Sequence, residues 1–347
     1  MAKNRMAKSG QTRLLDTEQG RAKGMKQFLR LALGFLAAAG MASPAGAQWS
    51  PSKPILVVSS ASPGSSGDAA LRMMAVKMGE SLGQPVQVDL RTAARGAQAY
   101  AIVGKAAPDG HTITFGTAGT FVYGRFLFKN MAFDILKDYS PISLSLSAPS
   151  YLIVHNSLGV STLKGLIDYA KRNPGKLEYA STGVGSFFHL AGEAFKKAAG
   201  VDILHVPYAQ ANFAQMIADW SSGRVMVAFP TYATMSPNLS KVKPLAILDR
   251  QRDRHMPDVP AIGELLPGYQ PFVVWWGFFG PVGLPAPVAA RIAMESRKAL
   301  RASDVAPKLD ELGLLPVGST PEELDTVLKQ DISIIGAVVK AIGLNPE

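Results

Sequence analysis

The sequence predicts an α/β fold arranged as two lobes. Three observations lead there. From Pro54 onward short β-type runs alternate with amphipathic segments, the signature of largely parallel sheets flanked by helices. These runs fall into two series, over residues 55–128 and 151–248. The tail, 275–343, reads as mainly helical, and no repeat with a period of about 20 to 50 residues marks a solenoid. The chain is therefore expected to cross into a second lobe and return to the first. The expected boundaries are 48–147 with 250–347 for lobe 1 and 148–249 for lobe 2, after a leader at 1–47.

The leader holds a secretory signal at residues 25–47, MKQFLRLALGFLAAAGMASPAGA. It has a basic start at Lys26 and Arg30, an apolar stretch from 31 to 41, and Ala45-Gly46-Ala47 as an A-x-A cleavage site. The mature chain is expected to begin at Gln48. A membrane anchor needs ~20 apolar residues, well beyond this stretch. Residues 1–24 are polar and basic without a twin-Arg pair, so translation starts at Met1 or at Met25, and they are not expected to contribute to the fold.

The formal charge of +10 shrinks with this cut. The leader carries eight of the 36 basic residues and two of the 26 acidic ones, leaving 28 against 24, or +4. A nucleic-acid partner thereby loses its main support. The chain has no cysteine, which excludes disulfides, thiolate metal sites, a cysteine nucleophile and a lipoprotein anchor. This suits a soluble protein of the bacterial periplasm. No later apolar run reaches membrane-spanning length; VVWWGFFGPVGL is short and broken by Gly and Pro.

The strands read as PILVVS (54–59), PVQVDL (85–90), HTITFGT (111–117), YLIVH (151–155), KLEYAS (176–181), DILHVPY (202–208), RVMVAFP (224–230) and KPLAIL (243–248). Between them, Ser161-Thr162 opens the helix LKGLIDYAKR, which stops before Asn173-Pro174-Gly175. Thr320-Pro321-Glu322-Glu323 combines an N-cap, proline at the first helical position and a capping-box Glu, so the last helix begins near Pro321.

Four loops after strands are built to expose backbone N–H groups: Ser62 to Asp68 (SPGSSGD), Gly116 to Thr120 (GTAGT), Ser181 to Ser186 (STGVGS), and Pro207 to Gln210 (PYAQ). Glycine lets the backbone approach a ligand, Ser and Thr add rotatable donors, and a helix start favours an anion. A carboxylate or phosphate would suit them. The bland alternative is that Ser66 or Asp68 simply caps the next helix. No Walker A or complete G-x-G-x-x-G is present; after Gly183-Val184-Gly185 comes His189-Leu190 where the third small residue belongs. The loops contain no G-x-S-x-G, and the histidines at 111, 155, 189, 205 and 255 show no H-x-x-x-H zinc spacing. His189 and His205 could meet in the second lobe, where a lone histidine is more often packed than basic. Among the aromatics at strand ends, Phe187-Phe188, Tyr208, Phe229, Tyr232 and Trp275-Trp276, most should pack the core, and Tyr208 is the candidate pocket wall.

The run PGKLEYASTGVGSFFHLAGEAFKKAAGVDILHVPYA (174–209) closely resembles the central signature of the tripartite tricarboxylate transporter solute receptors, the Bug family. KPILVV, PGSSGD, LGQPVQVDLR, AAPDGHTITFGTAGT, FDILKDYSPIS, PDVPAIGELLPGY and WWGFFGPVGLPAPVAARI agree in order, so the resemblance covers essentially the mature chain. It implies a two-lobe periplasmic-binding-protein (type II, Venus-flytrap) architecture and a small carboxylate held between the lobes, partly through ordered waters. Pro63, Gly64, Ser65, Ser66 and Asp68 would face Ser181, Thr182, Gly183, Ser186 and His189, with Thr117 and Tyr208 completing the pocket. It further implies a monomer without cofactor, metal or catalytic residue, working with transporter membrane subunits or, alternatively, a membrane sensor kinase. A secreted hydrolase using Ser66 or Ser186 with His189 is the remaining alternative, and Asp68 is too close to Ser66 to be its orienting acid.

The chain departs from the family pattern at Ser65, where a second glycine is usual, and at Arg91-Thr92-Ala93 and Tyr208-Ala209-Gln210. At Phe229-Pro230 a Phe-Asp pair is common. Losing an acid at Pro230 removes a partner for a ligand ammonium, so a di-, tri- or aromatic carboxylate is expected rather than an amino acid.

Overall fold

Buried on both faces, the apolar run at Ile55, Val57 and Val58 makes Ile55–Ser59 an inner strand, β1. The structure, a computed structural model, describes residues 49–61, 63–91, 97–129, 131–208 and 212–345. After β1 come helix α1 (Ser66–Leu82), β2 (Val86–Leu90), helix α2 (Ala97–Gly104) and β3 (Thr112–Thr117). A π-helical turn, Gly119–Tyr123, then runs into the short helix α3 (Gly124–Leu127). Strand β4 (Tyr139–Ala148) leads through Pro149 and Ser150 into β5 (Tyr151–His155). Helix α4 (Leu163–Arg172), β6 (Glu178–Ser181), helix α5 (Phe187–Ala199), β7 (Leu204–Pro207), helix α6 (Phe213–Ser221), β8 (Val227–Ala228) and β9 (Val242–Ile247) follow. The chain returns as β10 (Val274–Pro281), helix α7 (Ala286–Leu300), β11 (Leu315–Pro316) and helix α8 (Pro321–Ala341).

Two sheets result, in the orders β11-β4-β10-β3-β1-β2 and β7-β6-β8-β5-β9. They are mixed rather than largely parallel. Strands β1, β2 and β3 pair in parallel, as do β6, β7 and β8, but β10 runs antiparallel to β3 and β4, and β5 antiparallel to β8 and β9.

Two of the strands behind this difference are unread in the sequence. β4, YSPISLSLSA, alternates serine with leucine, yet Ser143 and Ser145 are fully buried. The Ser143 hydroxyl donates to the Ser319 carbonyl (2.8 Å), and that of Ser145 bonds the Ser296 hydroxyl on α7 (3.1 Å). Each buried hydroxyl is thus satisfied and small enough to let α7 sit close. β10 opens the tail expected to be helical. Its Gly277 lies where the register shifts, and a Cβ there would stand 2.9 Å from the Ser143 carbonyl oxygen. Glycine marks the close approach of strands here, not a break.

Direction places the loops. Because β10 is antiparallel to both β3 and β4, β4 runs parallel to β3 and β1, and their carboxyl ends share one sheet edge. Because β5 is antiparallel to β8, the carboxyl ends of β6, β7 and β8 lie beside the start of β5. Only Pro149 and Ser150 separate the end of β4 from the start of β5. The loops after β1, β3, β6 and β7 therefore all adjoin the chain crossing, where ligands of open α/β sheets collect.

Candidate functional site

Gly64, at φ 77°, turns the chain left-handedly out of β1, a conformation glycine adopts without steric cost. Ser65 is then extended and caps α1: the Asp68 N–H donates to its Oγ (3.3 Å). Asp68, three residues past the cap, accepts the Gly64 N–H on one oxygen (2.9 Å) and Arg72 Nε on the other (2.8 Å).

The second sheet repeats this device. Gly185 also has φ 77°, Ser186 is the extended cap of α5, and the His189 N–H donates to Ser186 Oγ (3.3 Å). The side chain three past the cap again reaches back, His189 Nδ1 accepting the Gly185 N–H (3.0 Å). A third cap stands at the end of β3, where Thr117 Oγ1 accepts the Thr120 N–H (3.3 Å).

The cap of α1 is thus Ser65, not Ser66 or Asp68. Capping and ligand binding are also not alternatives, since a hydroxyl that accepts a capping bond keeps its own proton to donate. The first helical N–H groups, on Ser66 and Gly67 and on Phe187 and Phe188, have no partner within their helices. With the helix dipole they form two anion-favouring ends. The buried Asp68 carboxylate shapes the turn through Gly64 and Arg72.

Since His189 Nδ1 accepts a backbone N–H, its ring is neutral with the proton on Nε2; burial holds its pKa below the ordinary imidazole range. Its ring lies 4.3 Å from that of His205, so the two histidines do meet. His205 stacks on Tyr179, and burial, then the neighbouring His189, lowers its pKa to about 4. Ser181 is fully buried, 2.6 Å from His205 Nε2, and its Oγ also accepts the Gly183 N–H (3.1 Å). It supports the 181–183 turn from beneath. A hydrolase built on His189 fails on this geometry, because the lone pair that would take a serine proton is already occupied.

The Tyr208 hydroxyl donates to Asp219 Oδ2 (2.6 Å), and burial followed by that carboxylate raises its pKa to about 12. Its backbone borders the turn instead, with the N–H on the Ser181 carbonyl (2.8 Å) and the carbonyl oxygen 3.6 Å from where a Gly183 Cβ would stand. Pro63, Ser66 and Thr182 lie at the mouths of the two turns with exposed or half-exposed side chains. Ser62, Thr92, Ala93, Ala209, Gln210 and the signal segment lie outside the described residues.

Two residues absent from the sequence-derived site stand beside it. The Leu127 side chain fills the space a Gly185 Cβ would occupy, 2.3 Å from that point, so α3 touches the α5 turn. Trp276 lies against Gly67. The sequence shows Trp275-Trp276 as one aromatic pair; recognising a strand would have separated them, since neighbours on a strand point to opposite faces. Among the described residues no group of three His, Cys, Asp or Glu side chains could hold a metal, and no helix is long and apolar enough to cross a membrane.

Two mixed sheets whose ligand-type loops adjoin the crossing define a periplasmic binding protein. The fold is similar to that of R. palustris Rpa4515 with adipate, at 29% identity and TM-score 0.70 over 86% of this chain and 99% of that one. It is also similar to MatC from Rhodopseudomonas palustris with bound malate, at 30% identity and TM-score 0.65 over 83% and 99%. The chain belongs to the tripartite tricarboxylate transporter receptor family, TctC, whose model matches residues 70–344. A Pseudomonas sp. (strain P51) relative, the UPF0065 protein in the tcbD-tcbE intergenic region, is 35% identical over 81% of this chain and 84% of its own length. The protein is accordingly a solute receptor of the Bug type, from a family of binding receptors rather than enzymes.

Proposed function

We propose that this receptor captures a small di-, tri- or aromatic carboxylate between the α1 and α5 turns and presents it to transporter membrane subunits from the periplasm. One observation carries the reading: the same Gly-Ser cap occurs at both helix starts beside the crossing, each with unpaired N–H groups and a hydroxyl that accepts the capping bond and keeps its own proton to donate. The site residues are those of the two turns, with Thr117 beside them and Ser181, His189 and His205 as their support. The Asp68 carboxylate is already engaged by the Gly64 N–H and by the Arg72 cation, which favours a non-amino carboxylate over a ligand with an ammonium. The signal-like segment at 25–47 and solved relatives described as periplasmic support export, with cleavage before Gln48.

Calorimetry with adipate, malate and benzoate tests the reading. A micromolar constant, about 8 kcal/mol, is expected for at least one probe. Neither the Ser66 nor the Thr182 hydroxyl holds a fold hydrogen bond among the described residues, so Ser66→Ala with Thr182→Ala should weaken binding about tenfold or more and leave stability intact. Unchanged affinity would remove these turns from the site.

A further inference from the structure

We infer that Trp276 belongs to the ligand cradle, its indole N–H donating to the ligand carboxylate beside the N–H groups that open α1 while its ring forms the adjoining wall. This rests on the carboxylate reading above and assigns one residue within it.

Trp276 lies directly opposite Thr117 in the β10–β3 register, at the sheet edge next to the crossing. Its indole leans on α1: Nε1, Cε2 and Cδ1 come within 2.7, 3.1 and 3.4 Å of the point where a Gly67 Cβ would stand. Gly67 is the second residue of α1 and is not among the left-handed glycines. Glycine within a helix costs about 1 kcal/mol against alanine, so the conformation does not call for it. The space taken by the indole does.

The two tryptophans then divide sharply. Trp275 is fully buried, and its Nε1 donates to Asp331 Oδ2 (2.8 Å). Trp276 is partly exposed and its Nε1 has no acceptor among the described residues. A free indole donor therefore stands next to the unpaired backbone donors of Ser66 and Gly67 and beside the Thr117 hydroxyl. Trp is donor-only, so the indole and the backbone N–H groups together favour an acceptor, and a carboxylate has oxygens enough for several donors at once.

Trp276→Phe keeps a ring and removes the donor; it should weaken the bound probe, whether adipate, malate or benzoate, about ten- to hundredfold, the range for a hydrogen bond to a charged group. Trp276→Ala should lose more. Gly67→Ala keeps the donor but displaces the indole, and should also weaken binding while the folded state persists by circular dichroism. In 15N-labelled protein the indole N–H signal missing from Trp276→Phe should shift when the probe is added, a readout that mere packing would not move. Wild-type affinity in Trp276→Phe with a stationary indole signal overturns the inference. If Ser66→Ala with Thr182→Ala still weakens binding in that case, the carboxylate site stands without Trp276. Failure of the wild type to bind any probe overturns both.

Discussion

At Gly64 and Gly185 the chain takes the same left-handed turn, but the two positions differ in surroundings. Nothing lies within 4 Å of a Cβ added at Gly64, whereas one at Gly185 would collide with Leu127. Gly64→Ala should therefore cost only backbone strain, about 1–2 kcal/mol, while Gly185→Ala adds overpacking of about 1–3 kcal/mol. Urea denaturation of the two variants checks the order, and equal losses would show that Leu127 yields freely. Asp331 offers a second residue-scale test. Burial lifts its pKa from 3.8 to about 6, against the pull of the Trp275 indole N–H. A carboxyl raised in the folded state contributes stability that is complete below pH 4 and is lost as pH rises through 6. Asp331→Asn keeps an acceptor for the indole and removes the charge, so it should gain about 2–3 kcal/mol on wild type at pH 7 and little at pH 4. A difference that stays constant between these pH values would refute this origin. Ser65 shows what single residues leave legible: the SPGSSGD turn reads as a helix start, but which of its hydroxyls caps depends on the φ of Gly64.

Among the elements, α4 and α8 are readable to their first residue, because Thr162 and Thr320 cap them as the local pattern dictates. Capping is a matter of three or four neighbouring residues. The capping box of α8 supplies a control remote from the turns: Thr320→Ala should lower stability by about 1 kcal/mol with carboxylate affinity unchanged. By contrast, α5 must lie tightly on β6, since a Cβ on Gly192 would come within 2.3 Å of the Tyr179 ring. Gly192→Ala should cost about 1–3 kcal/mol and weaken binding as well, because α5 carries the second turn; stability loss without an affinity change would separate the two. Strands β4 and β10 escape the sequence for a different reason. The alternating serines of β4 are satisfied only by contact with Ser319 and Ser296, and the glycine that interrupts the apolar run of β10, a residue depleted in strands, fits only because the facing strand comes so close.

For the whole molecule, the crossing through Pro149 and Ser150 and the later return bring the loops of two separately built sheets together. Their contact includes Leu127 against Gly185 and the rings of Phe187 and Phe272, whose centres are 5.5 Å apart. A ligand held by both turns binds only the folded protein, so at a hundred times its dissociation constant it should stabilise by about 2.7 kcal/mol. A thermal-shift screen of adipate, malate and benzoate should show a rise of several degrees with the bound probe, and small-angle scattering a reduced radius of gyration on closure. Binding without any change in dimension would mean that one turn holds the ligand alone.

The sequence by itself determined the alternation of strands and helices, the helix starts, the absence of cysteine chemistry, and a family resemblance that the fold bears out. These are carried by neighbours along the chain. Tertiary structure decided the mixed sheets, the choice of Ser65 as cap, the neutral His189 and the place of Trp276 against Gly67. Each depends on groups far apart in sequence approaching within a few ångströms, and no local pattern encodes that distance.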